Sequence, residues 1–321
     1  MNHLETLYPS ILEAENTIRR YIRTTFLDYS YALSKQTGVH VYLKHEAQQH
    51  TGSFKVRGAF NRLLSLTSEE AQQGVICASA GNHGCAVAYV AQCLNIQATV
   101  FLPETTSSLK MDKITSYGAT IKRVKGDCLQ AELLARQEAE LKQCVYVSPY
   151  NDPFVIAGQG TLGIELQAQC PEMDAVFISV GGGGLIAGVG AYLKSVNSAV
   201  EMVGVWPEHA PTLSHCIQAN KIIEVIEKPT YSESTAGGLE QGSITFEPCK
   251  SIIDTHILVS ETEIASAMKL IAETETTLIE GAAGVAVAGF LQKAKTYQGK
   301  HVVIVLCGKN IPYAQFKEIT T

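Results

Sequence analysis

The chain reads as an α/β protein, and three observations carry that reading. Short runs rich in Val and Ile recur along its 321 residues, stretches of helix-forming composition separate them, and glycine-rich turns stand where a run gives way to a helix. Strands that are apolar throughout and alternate with helices predict a mostly parallel sheet covered on both faces.

The expected strands, in order, are Val39–Lys44, Gly74–Ala78, Ala98–Leu102, Thr120–Val124, Val145–Ser148, Ala175–Val180, Met202–Val205, His256–Val259 and His301–Leu306. The expected helices are Lys55–Leu66, His83–Leu94, Ser107–Tyr117, Leu129–Lys142, Leu185–Val196, Thr262–Glu275 and Gly281–Lys295. No Pro/Ser-rich linker, repeat or low-complexity tract interrupts them, so two packed domains would be joined by short crossings. Only residues 308–321 follow Cys307, too few for an added regulatory domain.

Bulk properties exclude several classes. The composition is 46% hydrophobic and 17% charged, with a formal net charge of −6 and no basic block, so nucleic acid is not an expected partner. The opening Met1-Asn2-His3-Leu4-Glu5 lacks the pattern of a secretory signal. Apolar runs such as Ala175–Val180 and Val302–Cys307 fall far short of the roughly 20 residues a membrane helix needs. The nine cysteines include no Cys-x-x-Cys, and the eight-residue spacing of Cys77, Cys85 and Cys93 fits no common zinc pattern. They read as small buried hydrophobes in a reducing cytoplasm.

Three segments carry the chemistry. The first is Thr51-Gly52-Ser53-Phe54-Lys55-Val56-Arg57-Gly58. Ser53 is the expected N-cap, which sets Lys55 in the first helical turn. The positive end of the helix and Arg57 disfavour a further positive charge there, and a neutral amine is what a nucleophile or base requires. Taken alone, a lysine at a helix start is more often a solvated surface residue.

The second segment is Ala78-Ser79-Ala80-Gly81-Asn82-His83-Gly84, after a strand and opening a helix. Its small residues let backbone N–H groups approach an anion such as a substrate carboxylate. An ordinary capped turn is a fair competitor. The third is Val180-Gly181-Gly182-Gly183-Gly184-Leu185, where consecutive glycines expose N–H groups at a helix start as a phosphate cradle. It lacks the Gly-Lys-Ser/Thr ending of an ATP loop. A dinucleotide fingerprint belongs in the first βα unit, although Glu201 lies at about the spacing such a site uses.

Together the three segments, with Leu306-Cys307-Gly308-Lys309-Asn310, resemble the fold-type II pyridoxal-phosphate enzymes, in the serine/threonine dehydratase and serine racemase branch. The resemblance runs from about Arg23 to Asn310. It implies the tryptophan synthase β-like fold: two three-layer domains with mostly parallel sheets. The large, cofactor-binding domain would comprise residues 1–65 and 153–321, and the small domain 66–152.

The resemblance also implies roles. Lys55 would hold pyridoxal 5′-phosphate as a Schiff base and then act as the base on Cα. Phe54 would pack on one face of the ring, with Gly238 leaving room on the other. Asn82 would bond the ring oxygen. Gly181, Gly182, Gly183, Gly184 and Leu185 would hold the phosphate. Ser79, Ala80, Asn82 and His83 would bind the substrate carboxylate. Cys307 would face the pyridine nitrogen, where a thiol leaves that nitrogen neutral and suits rapid β-elimination. The implied reaction is the dehydration of a hydroxy amino acid of the L-threonine/L-serine type to a 2-oxo acid and ammonia by a cytoplasmic homodimer that needs no metal.

Several departures bear on this. Ala80 stands where serine racemases carry the serine of the opposite face of Cα, so dehydration without racemisation is expected. Trp206 and Thr212 occupy positions where racemases bind a divalent metal, and neither is a hard anionic ligand; Glu208 reads as a surface carboxylate. Lys309 replaces a usual glycine. A cationic His50 would favour a second carboxylate on the substrate, as in 3-hydroxyaspartate; an exposed loop histidine is the plainer reading. The alternatives are a racemase, a 3-hydroxyaspartate dehydratase, a β-replacement enzyme, a non-catalytic metabolite-binding protein and a Rossmann oxidoreductase. The Ser79–His83 loop argues against β-replacement, and an oxidoreductase leaves Ser53-Phe54-Lys55 unexplained.

Overall fold

The computed structural model describes the backbone of residues 3–321 and the side chains from Thr6 onward. Among the described residues, ten strands form two sheets: β1 Leu27–Tyr29, β2 His40–Lys44, β3 Val75–Ala78, β4 Ala98–Pro103, β5 Thr120–Val124, β6 Val145–Tyr146, β7 Ala175–Ser179, β8 Glu201–Pro207, β9 Thr255–Val259 and β10 His301–Val305. The larger sheet runs β1-β2-β10-β7-β8-β9 and the smaller β5-β4-β3-β6. All pairings are parallel except β1 with β2. This is the architecture expected of apolar strands separated by helices.

β10 lies between β2 and β7, with Val303 opposite both Tyr42 and Val176. The C-terminal ends of β7 and β10 are therefore neighbours, although 126 positions separate the starts of the two strands, Ala175 and His301. That register brings the tetraglycine, after β7, beside Cys307, after β10. The lysine segment is tied to the same edge. Ser53 bridges Gly308, the Phe54 N–H donates to the Cys307 carbonyl at 3.1 Å, and the Lys309 N–H donates to the Gly52 carbonyl at 3.0 Å.

The larger core contains Phe177, Phe290 and Trp206, all fully buried. The core of the smaller sheet draws in Ile18, Val56, Phe60 and Val155 from outside residues 66–152, so its packing crosses both expected boundaries. Among the described residues, no helix is long and apolar enough to cross a membrane.

Two elements absent from the expectations shape this arrangement. β1 is only three residues long and half-exposed, too brief to leave a pattern. The helix Pro153–Gln169 carries glycines at 158, 160 and 163, a composition that argues against a helix. Tight packing requires them: a Cβ on Gly158 would lie 2.7 Å from the Arg57 carbonyl oxygen, one on Gly160 3.0 Å from the Gly188 carbonyl oxygen and one on Gly163 3.0 Å from the Val189 carbonyl oxygen, the last two on the crossing helix Gly184–Val196. Asp152 starts the glycine-rich helix by accepting from the N–H groups of Phe154 and Val155, with Pro153 in its first turn. The helix of the lysine motif also differs. It spans Lys55–Leu64 with Phe54, not Ser53, at the N-cap, because Ser53 is held extended by its bridge to Gly308.

Candidate active site

A cavity of about 420 Å³ opens at the C-terminal ends of β7 and β10. Phe54, Lys55, Asn82, Gly181 to Gly184, Leu185, Gly238 and Cys307 all line it. These residues come from five distant segments, and the strand register above brings the tetraglycine, the lysine segment and Cys307 together. Ser79, Ala80 and His83 are not on its wall. His83 instead bonds Nε2 to the Val147 carbonyl at 2.8 Å. Burial, then the positive charge of Lys55, lowers its pKa to about 3, so the ring is neutral. Any part His83 plays in binding an anion is left to its backbone.

Lys55 donates Nζ–H to the Pro149 carbonyl at 2.8 Å. Burial pulls its ammonium down to about 8, against the opposing pull of Cys307 and Glu280. The sequence expectation assigned part of this effect to Arg57, and the structure corrects it. Arg57 is fully buried and neutralised by Glu46 at 2.8 Å and Glu165 at 2.9 Å. Loss of water, not a neighbouring cation, makes the Lys55 amine easier to deprotonate.

At the start of the helix Gly184–Val196, Gly183 has φ +86°, a conformation that favours glycine, and no side chain caps the helix. A Cβ on Gly182 would lie 2.4 Å from the Tyr150 ring. Among the described residues, no N–H of Gly181 to Leu185 donates to a protein acceptor. This is a ring of unspent donors at the positive end of a helix, suited to a phosphate. The N–H groups of Ser79, Ala80, Asn82 and His83 are likewise unspent among the described residues, whereas the Gly81 N–H donates to Ser79 Oγ at 3.2 Å.

Cys307 is buried and accepts from Ser179 Oγ at 3.5 Å. Burial, then Glu280, pushes its thiol up to about 12, so it stays neutral at working pH. A Cβ on Gly238 would meet nothing within 4 Å, which leaves open space on that wall. A phosphate cradle, a buried lysine with a depressed pKa, a neutral thiol and an open face together fit pyridoxal phosphate.

The sequence reading missed Glu280. This buried carboxylate accepts from Asn82 Nδ2 at 2.7 Å and from the Asn310 N–H at 2.9 Å. Burial raises its pKa. Any bond from Asn82 to a ring oxygen therefore competes with Glu280. The available signal was one acidic residue directly before the wholly apolar start Gly281-Ala282-Ala283-Gly284-Val285. Three residues weighed in the sequence, His50, Trp206 and Thr212, lie off the cavity wall. His50 is half-buried, stacks on Tyr89 at 5.5 Å, and has its pKa lowered by burial, then Arg23. It supplies no cation to the substrate pocket. Trp206 is buried against His256, and the Thr212 hydroxyl donates to Glu227, whose other oxygen accepts from the Gly237 N–H at 2.7 Å.

This site and fold define a cofactor-dependent enzyme of amino-acid chemistry. The chain belongs to the pyridoxal-phosphate dependent enzyme family, whose model matches residues 18–308. It is 40% identical to the L-threonine ammonia-lyase of Thermotoga maritima, over 94% of this chain and 75% of that one. It is 37% identical to the catabolic L-threonine dehydratase of Staphylococcus aureus, over 94% and 88%. Among solved structures it superposes on the processed form of tomato threonine deaminase isoform 2 with a TM-score of 0.94 at 31% identity, covering 98% of this chain and 93% of that one. Maize serine racemase gives 0.91 at 27% identity, covering 97% and 95%.

Proposed function

We propose that this chain is an ammonia-lyase that converts a β-hydroxy amino acid of the L-threonine/L-serine type to a 2-oxo acid and ammonia. The observation that carries the reading is Lys55, a buried lysine with a depressed pKa, facing one cavity with the tetraglycine and the neutral thiol of Cys307. The relatives named as threonine ammonia-lyase and threonine dehydratase support it.

When bound, pyridoxal phosphate supplies the electron sink that stabilises negative charge on Cα. The chain does the rest. Gly181 to Leu185 would hold the phosphate through backbone N–H groups, and Phe54 and Gly238 would bound the space for the ring. The unspent N–H groups of the loop Ser79, Ala80, Asn82 and His83, of which Asn82 lines the cavity, would take the substrate carboxylate. Lys55 Nζ is the group that accepts the α-proton. Ala80 offers no base for the opposite face, which favours elimination over inversion.

The same reading carries a homodimer and a cytoplasmic location. The cysteines are unpaired among the described residues, in keeping with a reducing compartment. An ammonia-release assay across L-threonine, L-serine and 3-hydroxyaspartate tests the activity. Release from L-threonine or L-serine is expected. Release from neither overturns the proposal.

A further inference from the structure

We propose that Cys170, Glu172 and His301 form a divalent-cation site, suited to zinc, at the end of the larger sheet opposite the catalytic cavity. The thiol sulfur, a carboxylate oxygen and a ring nitrogen all lie within 4.8 Å of one another. Glu172 Oε1 and His301 Nδ1 are 3.8 Å apart. A tetrahedral zinc with bonds of about 2.0–2.3 Å holds its ligand atoms about 3.3–3.8 Å apart, so this pair already has a suitable separation. Sulfur, imidazole and carboxylate are the donors zinc takes, whereas calcium and magnesium want oxygen alone.

The ligands sit on segments already fastened together. The His301 N–H donates to Asp174 Oδ2 at 2.7 Å, and the Asp174 N–H donates to the His301 carbonyl at 2.8 Å. The Met173 N–H donates to the Cys170 carbonyl at 3.1 Å, closing the turn that carries Cys170 and Glu172. His40 stacks on the His301 ring at 4.6 Å, and the Tyr42 hydroxyl lies 3.3 Å from His301 Nδ1, which restricts how that ring can turn. Glu172 is exposed and His301 partly so, which leaves a fourth position for water.

Binding forms the S–Zn bond as the thiol proton leaves to solvent, and a thiolate with a carboxylate balances the 2+ charge. The site lies at the starts of β7 and β10, about 15 Å of strand from the cavity at their ends. It would pin the turn feeding β7 to β10, stabilising the fold without entering the chemistry.

The test uses chelator-treated holoenzyme titrated with zinc chloride by calorimetry, alongside C170A, H301Q and E172Q. The wild type should bind one zinc per chain and melt at a higher temperature with zinc present. Each variant should lose that binding and that thermal shift while its ammonia release stays unchanged. H301Q and E172Q, at partly exposed positions, keep the test open if C170A fails to fold. A wild type with no saturable binding, or variants that bind as well as it does, overturns the proposal.

Discussion

The backbone N–H of Phe54 donates to the carbonyl oxygen of Cys307 at 3.1 Å. This bond and the adjoining isolated Ser53–Gly308 bridge fasten the lysine segment to the loop after β10. The lysine, the thiol and the glycine cradle are thus placed by backbone bonding, which is less mobile than side-chain contact. Four consequences are open to measurement.

In cofactor-free protein, Lys55 should be charged below about pH 8 and neutral above it, because burial lowers its pKa. The rate of pyridoxal-phosphate uptake should therefore rise with pH through a midpoint near 8. The sign for stability agrees. Between about 8 and the ordinary lysine value of 10.5 the unfolded chain binds the extra proton, so stability rises with pH in that window. In E280Q, which removes a charge that pulls the pKa up, the uptake midpoint should fall. A wild-type midpoint near 10.5 would refute this.

Gly182→Ala places a Cβ 2.4 Å from the Tyr150 ring. The ring and the cradle must shift, at a cost of about 1–3 kcal/mol. Equilibrium dialysis should find weakened cofactor binding and urea unfolding a lowered midpoint. Unchanged cofactor affinity would argue that the tetraglycine does not hold the phosphate.

Arg57→Ala strands Glu46 without its buried partner, leaves Glu165 to Lys44 and Arg19, and should cost about 3–5 kcal/mol in chemical unfolding. Burial pushes the Glu165 carboxyl up, but Arg57 and Lys44 together hold it down to about 2. The stability it contributes is present above about 4.5 and is lost as pH falls from there towards about 2. Acid unfolding of R57A should begin at higher pH than that of the wild type. Equal acid tolerance would contradict the role given to Arg57.

L-Serine should yield pyruvate and ammonia without D-serine, because Ala80 presents no proton donor or acceptor to the second face of Cα. Chiral chromatography of the reaction mixture decides this. Efficient D-serine formation would mean that another residue serves that face.

The nine expected strands were legible, most of them because buried parallel strands are apolar throughout, and their ends moved by only a few residues. The site was legible where chemistry depends on local backbone: Lys55, the tetraglycine and the Cys307 loop all reach the cavity. It was not legible where long-range packing decides. Glu280 meets Asn82 across 198 positions, and Glu165, which shares the Arg57 charge with nearby Glu46, lies 108 positions from that arginine. Local sequence shows neither partner. The helix Pro153–Gln169 was obscured because its glycines serve a close crossing, not a turn.

The account rests on Lys55 as the residue that holds the cofactor, and borohydride reduction of the holoenzyme followed by peptide mass mapping tests that most directly. The account predicts a pyridoxyl-phosphate mass on the peptide containing Lys55 and on no other lysine. A label on a different lysine, or no label in protein that releases ammonia, would contradict it.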